Sequence, residues 1–231
     1  MSAGADPPDD APPAARRALI ETIEREVGWG GTGDGGAALD PRVLDALLRV
    51  PRERFVPPDL AARAYDNRPL PIGHGQTISQ PLVVAVMTHL LRLEPASRVL
   101  EVGTGSGYQA AILAELAAEV VTVEVVEALA REAREKLEGL GYRNLRFEIG
   151  DGAAGCPAWA PYDAILVTAA APTIPPALIE QLAPGGRLVI PLGRHPLSQE
   201  LILLEKDVQG VVQESRLFPV AFVPLTGAGG G

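Results

Sequence analysis

A short apolar run that leads directly into three alternating glycines constrains this chain more than any other feature. Residues 98–108 read RVLEVGTGSGY, and residues 108–116 after them are rich in helix formers. A buried strand, a glycine turn and a helix, in this order, can receive a nucleotide-like ligand on backbone N–H groups and a helix N-terminus. Gly103, Gly105 and Gly107 suit such a turn, because a Cβ atom would block both the bend and the ligand. The surroundings of the turn must decide which ligand it receives.

Apolar runs of strand length alternate with helical segments after the turn. The pattern predicts strands at 99–102, 120–125, 145–149, 164–167 and 187–191, and helices at 108–118, 127–137 and 176–182. Two further strand-like runs, 200–205 and 216–225, follow without a helix between them. Alternation that ends in a hairpin predicts an α/β fold, with a doubly wound parallel sheet and a C-terminal antiparallel addition.

The chain divides into four predicted parts, and its 231 residues favour a single sizeable α/β domain. Residues 1–13 are acidic and proline-rich, which predicts a disordered tail. Residues 14–97 predict an N-terminal helical extension, with a glycine-rich loop at 28–36. The ligand-binding α/β domain is expected at 98–226, and a flexible tail at 227–231.

Composition excludes several classes of partner. The net charge of −9 and the pI of about 4.9 argue against a nucleic-acid partner, which requires a basic face. Cys156 is the only cysteine, so an intramolecular disulfide cannot form, and one cysteine with three histidines makes a zinc cluster implausible. The N-terminus does not read as a signal peptide, and no apolar run is long enough for a bilayer. We expect a cytoplasmic protein without metal, nucleic-acid or membrane partners.

Acidic groups follow the next two predicted strands. Glu124 lies at the end of the second strand, and Asp151 and Gly152 follow the third. Ligands of doubly wound sheets bind at the carboxyl ends of the strands. Glu124 could accept hydrogen bonds from both ribose hydroxyls, and Asp151 could accept one from an adenine amino group. Taken singly, Glu124 could be an exposed strand-end charge and Asp151 a turn aspartate, but their order along the chain favours a nucleoside site.

Two nucleotide cofactors, NAD and S-adenosylmethionine, fit a carboxylate that binds ribose. The glycine spacing is G-x-G-x-G, whereas a pyrophosphate is seated by G-x-G-x-x-G. A dehydrogenase would also need a second half to hold its substrate, and the chain has no room for one. S-adenosylmethionine has no phosphate and carries a sulfonium cation, which suits an acidic protein. The sequence therefore favours methyl transfer over hydride transfer.

Residues 69–81, PLPIGHGQTISQP, read as a rigid loop that leads into a helix near Ser79, with Pro81 in its first turn. The N-terminus of that helix would attract an anion through its free N–H groups and its dipole. The alternative is that Ser79 is simply an N-cap and Thr77 a turn hydroxyl.

Several stretches together resemble the protein-L-isoaspartate (D-aspartate) O-methyltransferase family: VPRERFVP, AYDNRPLPIGHGQTISQP, VLEVGTGSGYQAAILAEL, GDG, APYDAILVTAAAP, LAPGGRLVIPLG and FVPLTG. The resemblance covers residues 40–226, and GQTISQP and VTAAAP are its most specific parts. It implies a class I methyltransferase fold with an unusual strand order at the end of the sheet. It also implies methyl esterification, with S-adenosylmethionine, of the free carboxylate of L-isoaspartyl and D-aspartyl residues in damaged proteins. That ester starts repair through a succinimide.

The resemblance also implies roles for individual residues. Ser79 matches the active-site serine, and Thr77 and Ser79 are expected to contact the substrate. The expected cofactor-binding residues are Gln76, Thr77, Ile78, Gly103, Gly105, Gly107, Glu124, Asp151, Gly152 and Thr226. We expect Ser79 to orient the substrate rather than act as a covalent nucleophile, because the sequence near it has no His–Asp relay.

Two competing functions stay open at this point. The first is a sibling methyltransferase of the same fold, which esterifies ordinary aspartates in a dedicated peptide. The second is a binding module without catalysis, although such a module would be expected to lose Ser79 or Asp151, and both are present. The expected partners are isoaspartyl-containing proteins and peptides, and the expected state is a monomer.

Overall fold

The computed structural model describes residues 13–30 and 38–227, and these begin with helices and a small hairpin. The elements before the main sheet are α1 (Pro13–Gly30), α2 (Pro41–Arg49), β1 (Leu70–Gly73), β2 (Gln76–Ile78) and α3 (Pro81–Leu90). Two 3-10 turns, Arg52–Phe55 and Pro58–Arg63, join α2 to the hairpin. Helix α2 begins where the sequence predicts, because the Asp40 side chain accepts a hydrogen bond from the Arg42 N–H at 2.8 Å.

The rest of the described chain alternates between strand and helix. The strands of the main sheet are β3 (Arg98–Val102), β4 (Glu119–Glu124), β5 (Leu145–Ile149), β6 (Tyr162–Val167), β7 (Leu182–Leu192), β8 (Gln199–Lys206) and β9 (Val212–Val220). The helices between them are α4 (Tyr108–Ala114), α5 (Glu127–Gly139) and α6 (Pro176–Gln181). Among the described residues, no helix combines the length and the apolar character that crossing a membrane requires.

The strands follow the order β5-β4-β3-β6-β7-β8-β9 across the sheet. The five strands from β5 to β7 in this order are parallel to one another. Strand β8 then pairs with β7 in antiparallel orientation, and β9 pairs with β8 in the same way. The predicted doubly wound α/β fold with an antiparallel C-terminal addition is therefore confirmed. The chain reverses its winding at β3, with β4 on one side and β6 on the other. Such a reversal opens a crevice at the carboxyl ends of the strands, where ligands bind.

Alternate side chains of the central strand point into two hydrophobic cores. Val99 belongs to a core that also contains residues of α1 to α4, whereas Leu100 and Val102 belong to a second core that contains Leu178 of α6. The helices before residue 98 thus share one core with a face of the sheet. The division of the chain at residues 97 and 98 stays a prediction.

The stretch that the sequence presents as a loop contains the hairpin β1-β2. Leu70 pairs with Ile78 in antiparallel register, and both side chains are buried. Gly73, His74 and Gly75 all have positive φ angles in the turn between them. The two strands are only four and three residues long, so no alternation of apolar residues could reveal them.

Several boundaries also differ from the prediction. Helix α1 continues to Gly30, inside the predicted glycine loop. Residues 31–36 of that loop, residues 1–12 of the N-terminal tail and residues 228–231 lie outside the described part of the chain. Strand β9 ends at Val220 rather than at residue 225, because the residues after it leave the sheet edge and pair with Ala170.

Candidate active site

The carboxyl ends of the parallel strands open into a cavity. The glycine turn after β3, the end of β4 and Thr168 after β6 form its base. The hairpin residues Gln76–Ile78 with Ser79 form one wall, and residues 223–226 near the C-terminus form another. Elements that are far apart in the sequence therefore meet at the position that the sheet topology predicts.

Glu124 lies at the end of β4, and its carboxylate is held by the backbone. One oxygen accepts a hydrogen bond from the Gly105 N–H at 2.8 Å, and the other accepts one from the Val126 N–H at 2.9 Å. The side chain is only 7% exposed, yet it lines the cavity. A carboxylate can accept about four hydrogen bonds, so each oxygen keeps a lone pair for a ligand. Glu124 could accept hydrogen bonds there from two hydroxyl groups of a ribose.

Gly103 is required by the close approach of Thr168. The Thr168 hydroxyl donates to the Gly103 carbonyl at 2.6 Å, and a Cβ atom on Gly103 would lie 2.3 Å from that hydroxyl oxygen. The φ angle of Gly103 is also +96°, which side chains disfavour. Thr168 lines the cavity and belongs to the VTAAAP stretch, but the residue-level assignment from the sequence missed it.

Gly107 does not line the cavity, although the sequence places it in the cofactor turn. Its Cβ position lies 2.9 Å from Leu137 Cδ1 and 3.3 Å from Ala133 Cβ, both on α5. Its φ angle is +87°, and it precedes the first residue of α4. Gly107 therefore lets the turn before α4 approach α5 closely.

Asp151 also lies outside the cavity lining, whereas its neighbour Gly152 lines it. The Asp151 side chain accepts a hydrogen bond from the Ala153 N–H at 2.9 Å, as the N-cap of a 3-10 turn. A Cβ atom on Gly152 would lie 2.3 Å from Val102 Cγ1, so only glycine fits there. The contact between Asp151 and the Ala153 N–H is the one that the alternative interpretation, a turn aspartate, predicts.

Ser79 follows β2 and lines the cavity together with Gln76, Thr77 and Ile78. It is not the N-cap of α3, because Gln80 occupies that position and makes no side-chain capping bond. The Leu82 N–H at the start of the helix donates instead to the Asn67 side chain at 3.0 Å. No partner for the Ser79 hydroxyl lies within residues 13–30 and 38–227, so this hydroxyl is free to bind a ligand.

The C-terminal wall reaches the cavity through Ala170, which follows β6. The Ala170 N–H donates to the Val223 carbonyl, and the Leu225 N–H donates to the Ala170 carbonyl, each at 2.8 Å. Leu225 is buried, whereas Thr226 beyond it is exposed and lines the cavity. This crossing brings the predicted Thr226 to the other site residues.

A buried polar chain supports the glycine turn from below. The Thr122 hydroxyl donates to Glu101 at 2.5 Å, and the hydroxyls of Thr122 and Thr104 lie 2.6 Å apart. Glu101 is fully buried in β3, and this burial raises the pKa of its carboxyl group to about 8. The sequence signal for this group is a charged residue inside the apolar run of the strand, and the site assignment did not use it.

The cavity offers hydrogen-bond donors and an oriented carboxylate, and these can align a ligand. Its further polar lining residues, which the sequence did not identify as site residues, are Thr104, Ser106, Gln109 and Thr168. In the part of the chain that the structure describes, no three histidine, cysteine or acidic side chains form a cluster that could hold a metal ion.

Known proteins are similar to this chain over most of its length. The family model described as Protein-L-isoaspartate(D-aspartate) O-methyltransferase (PCMT) matches residues 33–230. Protein-L-isoaspartate O-methyltransferase 2 of Syntrophobacter fumaroxidans is 55% identical over 95% of this chain and 89% of its own length. The protein of the same name from a Polaromonas strain is 56% identical over 90% of this chain and 99% of its own length.

Solved structures are similar to the fold as a whole. A protein-L-isoaspartate O-methyltransferase superposes with a TM-score of 0.79 and 28% identity, covering 93% of this chain and 67% of that one. A putative enzyme of the same description from Plasmodium falciparum, in complex with S-adenosyl-L-homocysteine, gives 0.75 and 28%, covering 91% of this chain and 98% of that one.

Proposed function

Since this chain belongs to the protein-L-isoaspartate(D-aspartate) O-methyltransferase family, we propose that it methylates the free carboxylate of L-isoaspartyl and D-aspartyl residues in damaged proteins. The methyl donor is S-adenosylmethionine, and the ester starts repair through a succinimide. The observation that carries the proposal is the family match over residues 33–230, which includes both the glycine turn and the QTIS segment.

The residues of the cavity fit an adenosyl cofactor. Glu124 has free lone pairs for the ribose hydroxyls, and its two backbone hydrogen bonds fix its orientation. Gly103 and Gly152 line the cavity without side chains of their own, and each lies too close to a neighbouring side chain to carry a Cβ atom. We therefore assign cofactor binding to the glycine turn, Glu124, Gly152 and Thr226. When bound, S-adenosylmethionine supplies a methyl group that is activated by a sulfonium cation. A carboxylate oxygen can accept this methyl group directly.

The methyl acceptor needs orientation more than it needs a base. A side-chain or terminal carboxyl group has a pKa of about 3.3 to 4.3, so it is already ionised at neutral pH. The free hydroxyl of Ser79 can donate to this carboxylate, and Thr77 beside it can contact the substrate. We assign Ser79 a role in orienting the acceptor, with water excluded by the walls of the cavity.

The decisive experiment compares two peptides that differ in one linkage. An isoaspartyl peptide and its normal aspartyl twin are incubated with the purified protein and S-adenosylmethionine that carries a radiolabelled methyl group. We expect base-labile methyl ester on the isoaspartyl peptide only. Labelling of the aspartyl twin would instead identify a peptide aspartate methyltransferase of the same fold.

A thermal-shift measurement tests the cofactor separately. S-adenosylhomocysteine should raise the Tm, and NAD should not, because a ligand stabilises only the state that it binds. The reverse result would favour hydride transfer. The cytoplasmic location and the monomeric state stay predictions.

A further inference from the structure

Arg52 is buried directly behind the wall of the cavity. Its side chain is fully buried, although it belongs to the short 3-10 turn Arg52–Phe55 near the surface helices. The guanidinium donates from Nε to the Ala64 carbonyl at 2.8 Å and from Nη2 to the Ser79 carbonyl at 2.7 Å. Its third nitrogen, Nη1, is buried and has no hydrogen-bond partner among the described residues.

Within the described residues, this buried cation has no anionic partner. Among residues 13–30 and 38–227, no carboxylate forms a salt bridge with Arg52, and its neighbours are two carbonyl groups and an aromatic ring. That ring belongs to Tyr108, whose centroid lies 4.7 Å from the guanidinium carbon, and Tyr108 lines the cavity. Burial lowers the pKa of Arg52, but an arginine stays charged at neutral pH. A buried charge without a counter-ion is costly, so its presence beside a binding cavity calls for a function.

The negative charge of the methyl acceptor gives the buried charge of Arg52 a function. The whole protein carries a net charge of −9 and therefore repels the anionic acceptor carboxylate. A fixed cation behind the wall would offset that repulsion locally, because the surrounding apolar residues screen it less than water would. The backbone bond to Ser79 places the same cation next to the residue that is assigned to the acceptor.

We propose that Arg52 is a positioning residue for the methyl acceptor, which fixes Ser79 through its backbone carbonyl and supplies the buried positive charge that the acceptor carboxylate meets. The inference rests on the proposed function. Arg52 does not touch the cavity itself, so it acts through Ser79 and Tyr108.

The first test separates charge from structure with the variant R52Q and the control R187Q. Arg187 is also poorly exposed and also donates to a backbone carbonyl, that of Leu90. Neither Leu90 nor Glu205, the ion-pair partner of Arg187, lines the cavity, however, whereas Ser79 does. For R52Q we expect the KM for an isoaspartyl peptide to rise at least about tenfold, whereas the Kd for S-adenosylhomocysteine should change by less than about twofold. For R187Q we expect an unchanged peptide KM, whatever its stability.

A neutral ligand makes this comparison specific for charge. A peptide in which the isoaspartyl carboxylate is replaced by an amide should lose less affinity between wild type and R52Q than the carboxylate peptide does, because it brings no charge to the cavity and is affected only by the change at Ser79. A loss of the same size for the amide and the carboxylate peptides would show a structural clamp only and would overturn the proposal.

The variant R52K gives an independent readout if R52Q does not fold, as judged by the binding of S-adenosylhomocysteine. A buried lysine has a lowered pKa, so R52K should lose kcat/KM for the peptide as the pH rises from about 7 to about 10, whereas wild type should not. The titratable groups beside Arg52 are Tyr65 and Tyr108, and burial raises the pKa of both, so neither mimics this effect.

An R52K profile parallel to that of wild type would contradict the proposed role of the charge. Failure of the proposed function would be a different result, because wild type itself would then not methylate the isoaspartyl peptide.

Discussion

At the scale of single residues, Glu124 has two tasks. Its carboxylate fixes the glycine turn through the Gly105 N–H and caps the following segment through the Val126 N–H. The same oxygens face the cavity and keep lone pairs for a ribose. Binding of the cofactor and the shape of the turn are therefore linked through one side chain.

Replacing Glu124 by glutamine should weaken cofactor binding. The amide nitrogen cannot accept a hydrogen bond, so one backbone donor or one ribose hydroxyl loses its charged partner. Calorimetric titration with S-adenosylhomocysteine should show a Kd that is roughly 10-fold to 100-fold higher. The control is Glu127→Gln, which changes an exposed carboxylate that is paired with Arg131. Equal affinities for wild type and Glu124→Gln would exclude the ribose assignment.

Ser79→Ala should slow methyl transfer without weakening cofactor binding, in contrast to Glu124→Gln. The Ser79 hydroxyl has no partner in the described part of the protein, so its removal should leave the fold and the Kd for S-adenosylhomocysteine intact. Turnover of an isoaspartyl peptide should fall about 10-fold to 100-fold, because the acceptor loses an orienting donor. Single-turnover methyl transfer measures this directly, and wild-type turnover in Ser79→Ala would refute the assignment.

Glu101 makes the stability of the protein depend on pH. Its pKa is raised from 4.5 to about 8 in the folded protein, so between these values the folded state keeps a proton that the unfolded chain releases. The free energy of unfolding should therefore contain a contribution that decreases as the pH rises from about 4.5 to about 8. Glu101→Gln should remove this pH-dependent contribution. The Tm of the variant, measured relative to that of wild type, should therefore increase as the pH rises from about 4.5 to about 8. Parallel curves of Tm against pH would contradict this.

The sequence identified residues that line the cavity where a strand end or a motif determines their position, and it did so less well where their position depends on packing. Glu124 and Ser79 line the cavity as expected, because strand ends and the QTIS motif determine their places. Gly107 and Asp151 do not line it. Their positions depend on packing against α5 and on a 3-10 turn, and no motif encodes either.

At the scale of elements, Gly107 determines how closely the glycine turn packs against α5. Gly107→Ala should destabilise the protein by about 1–3 kcal/mol, because the new methyl group meets Leu137 at 2.9 Å and the φ angle of +87° is unfavourable. Gly141→Ala is the matched control. Gly141 has a φ angle of +93°, but nothing lies within 4 Å of its Cβ position.

Urea denaturation of both variants measures this difference. Gly107→Ala should lose more stability than Gly141→Ala, and the excess is the contribution of the helix contact. Folded Gly107→Ala should keep most of its affinity for S-adenosylhomocysteine. If the affinity fell sharply while the stability matched that of Gly141→Ala, the result would support a direct role of Gly107 in the cofactor site.

Elements with a strong periodic signal were predictable, and short or irregular ones were not. The apolar runs of β3, β4 and β6 specify buried parallel strands, and Asp40-Pro41 specifies the start of α2. The hairpin β1-β2 is rich in proline and glycine, which normally indicate a loop. Its pairing comes from the burial of Leu70 and Ile78 against the rest of the protein, and this is tertiary information.

At the scale of the whole molecule, the site is closed by segments from both halves of the chain. The hairpin supplies one wall, and residues 223–226 supply the other. Leu225 anchors the second wall, because it is buried and its backbone pairs with Ala170. The two hydrogen bonds between Gln199 and the Phe222 backbone guide the chain towards this position.

A chain that ends at Val220 should therefore fold less stably and bind the cofactor weakly. It loses the burial of Leu225, worth about 1.5–3 kcal/mol, and with it one wall of the cavity. The control chain ends at Gly227 and keeps every cavity residue. Thermal unfolding with and without S-adenosylhomocysteine compares the two, and equal ligand-induced shifts would contradict this account of the wall.

The position of that wall has a consequence for biosynthesis. A ribosome delivers the glycine turn and the QTIS segment long before residues 223–226, since domains form from the N-terminal side as the polypeptide emerges. The nascent polypeptide can complete its sheet only after β9 has left the exit tunnel, and it can close its cavity only after the segment beyond β9 has followed. Translation itself thus delays catalytic competence until residues 223–226 have been synthesised.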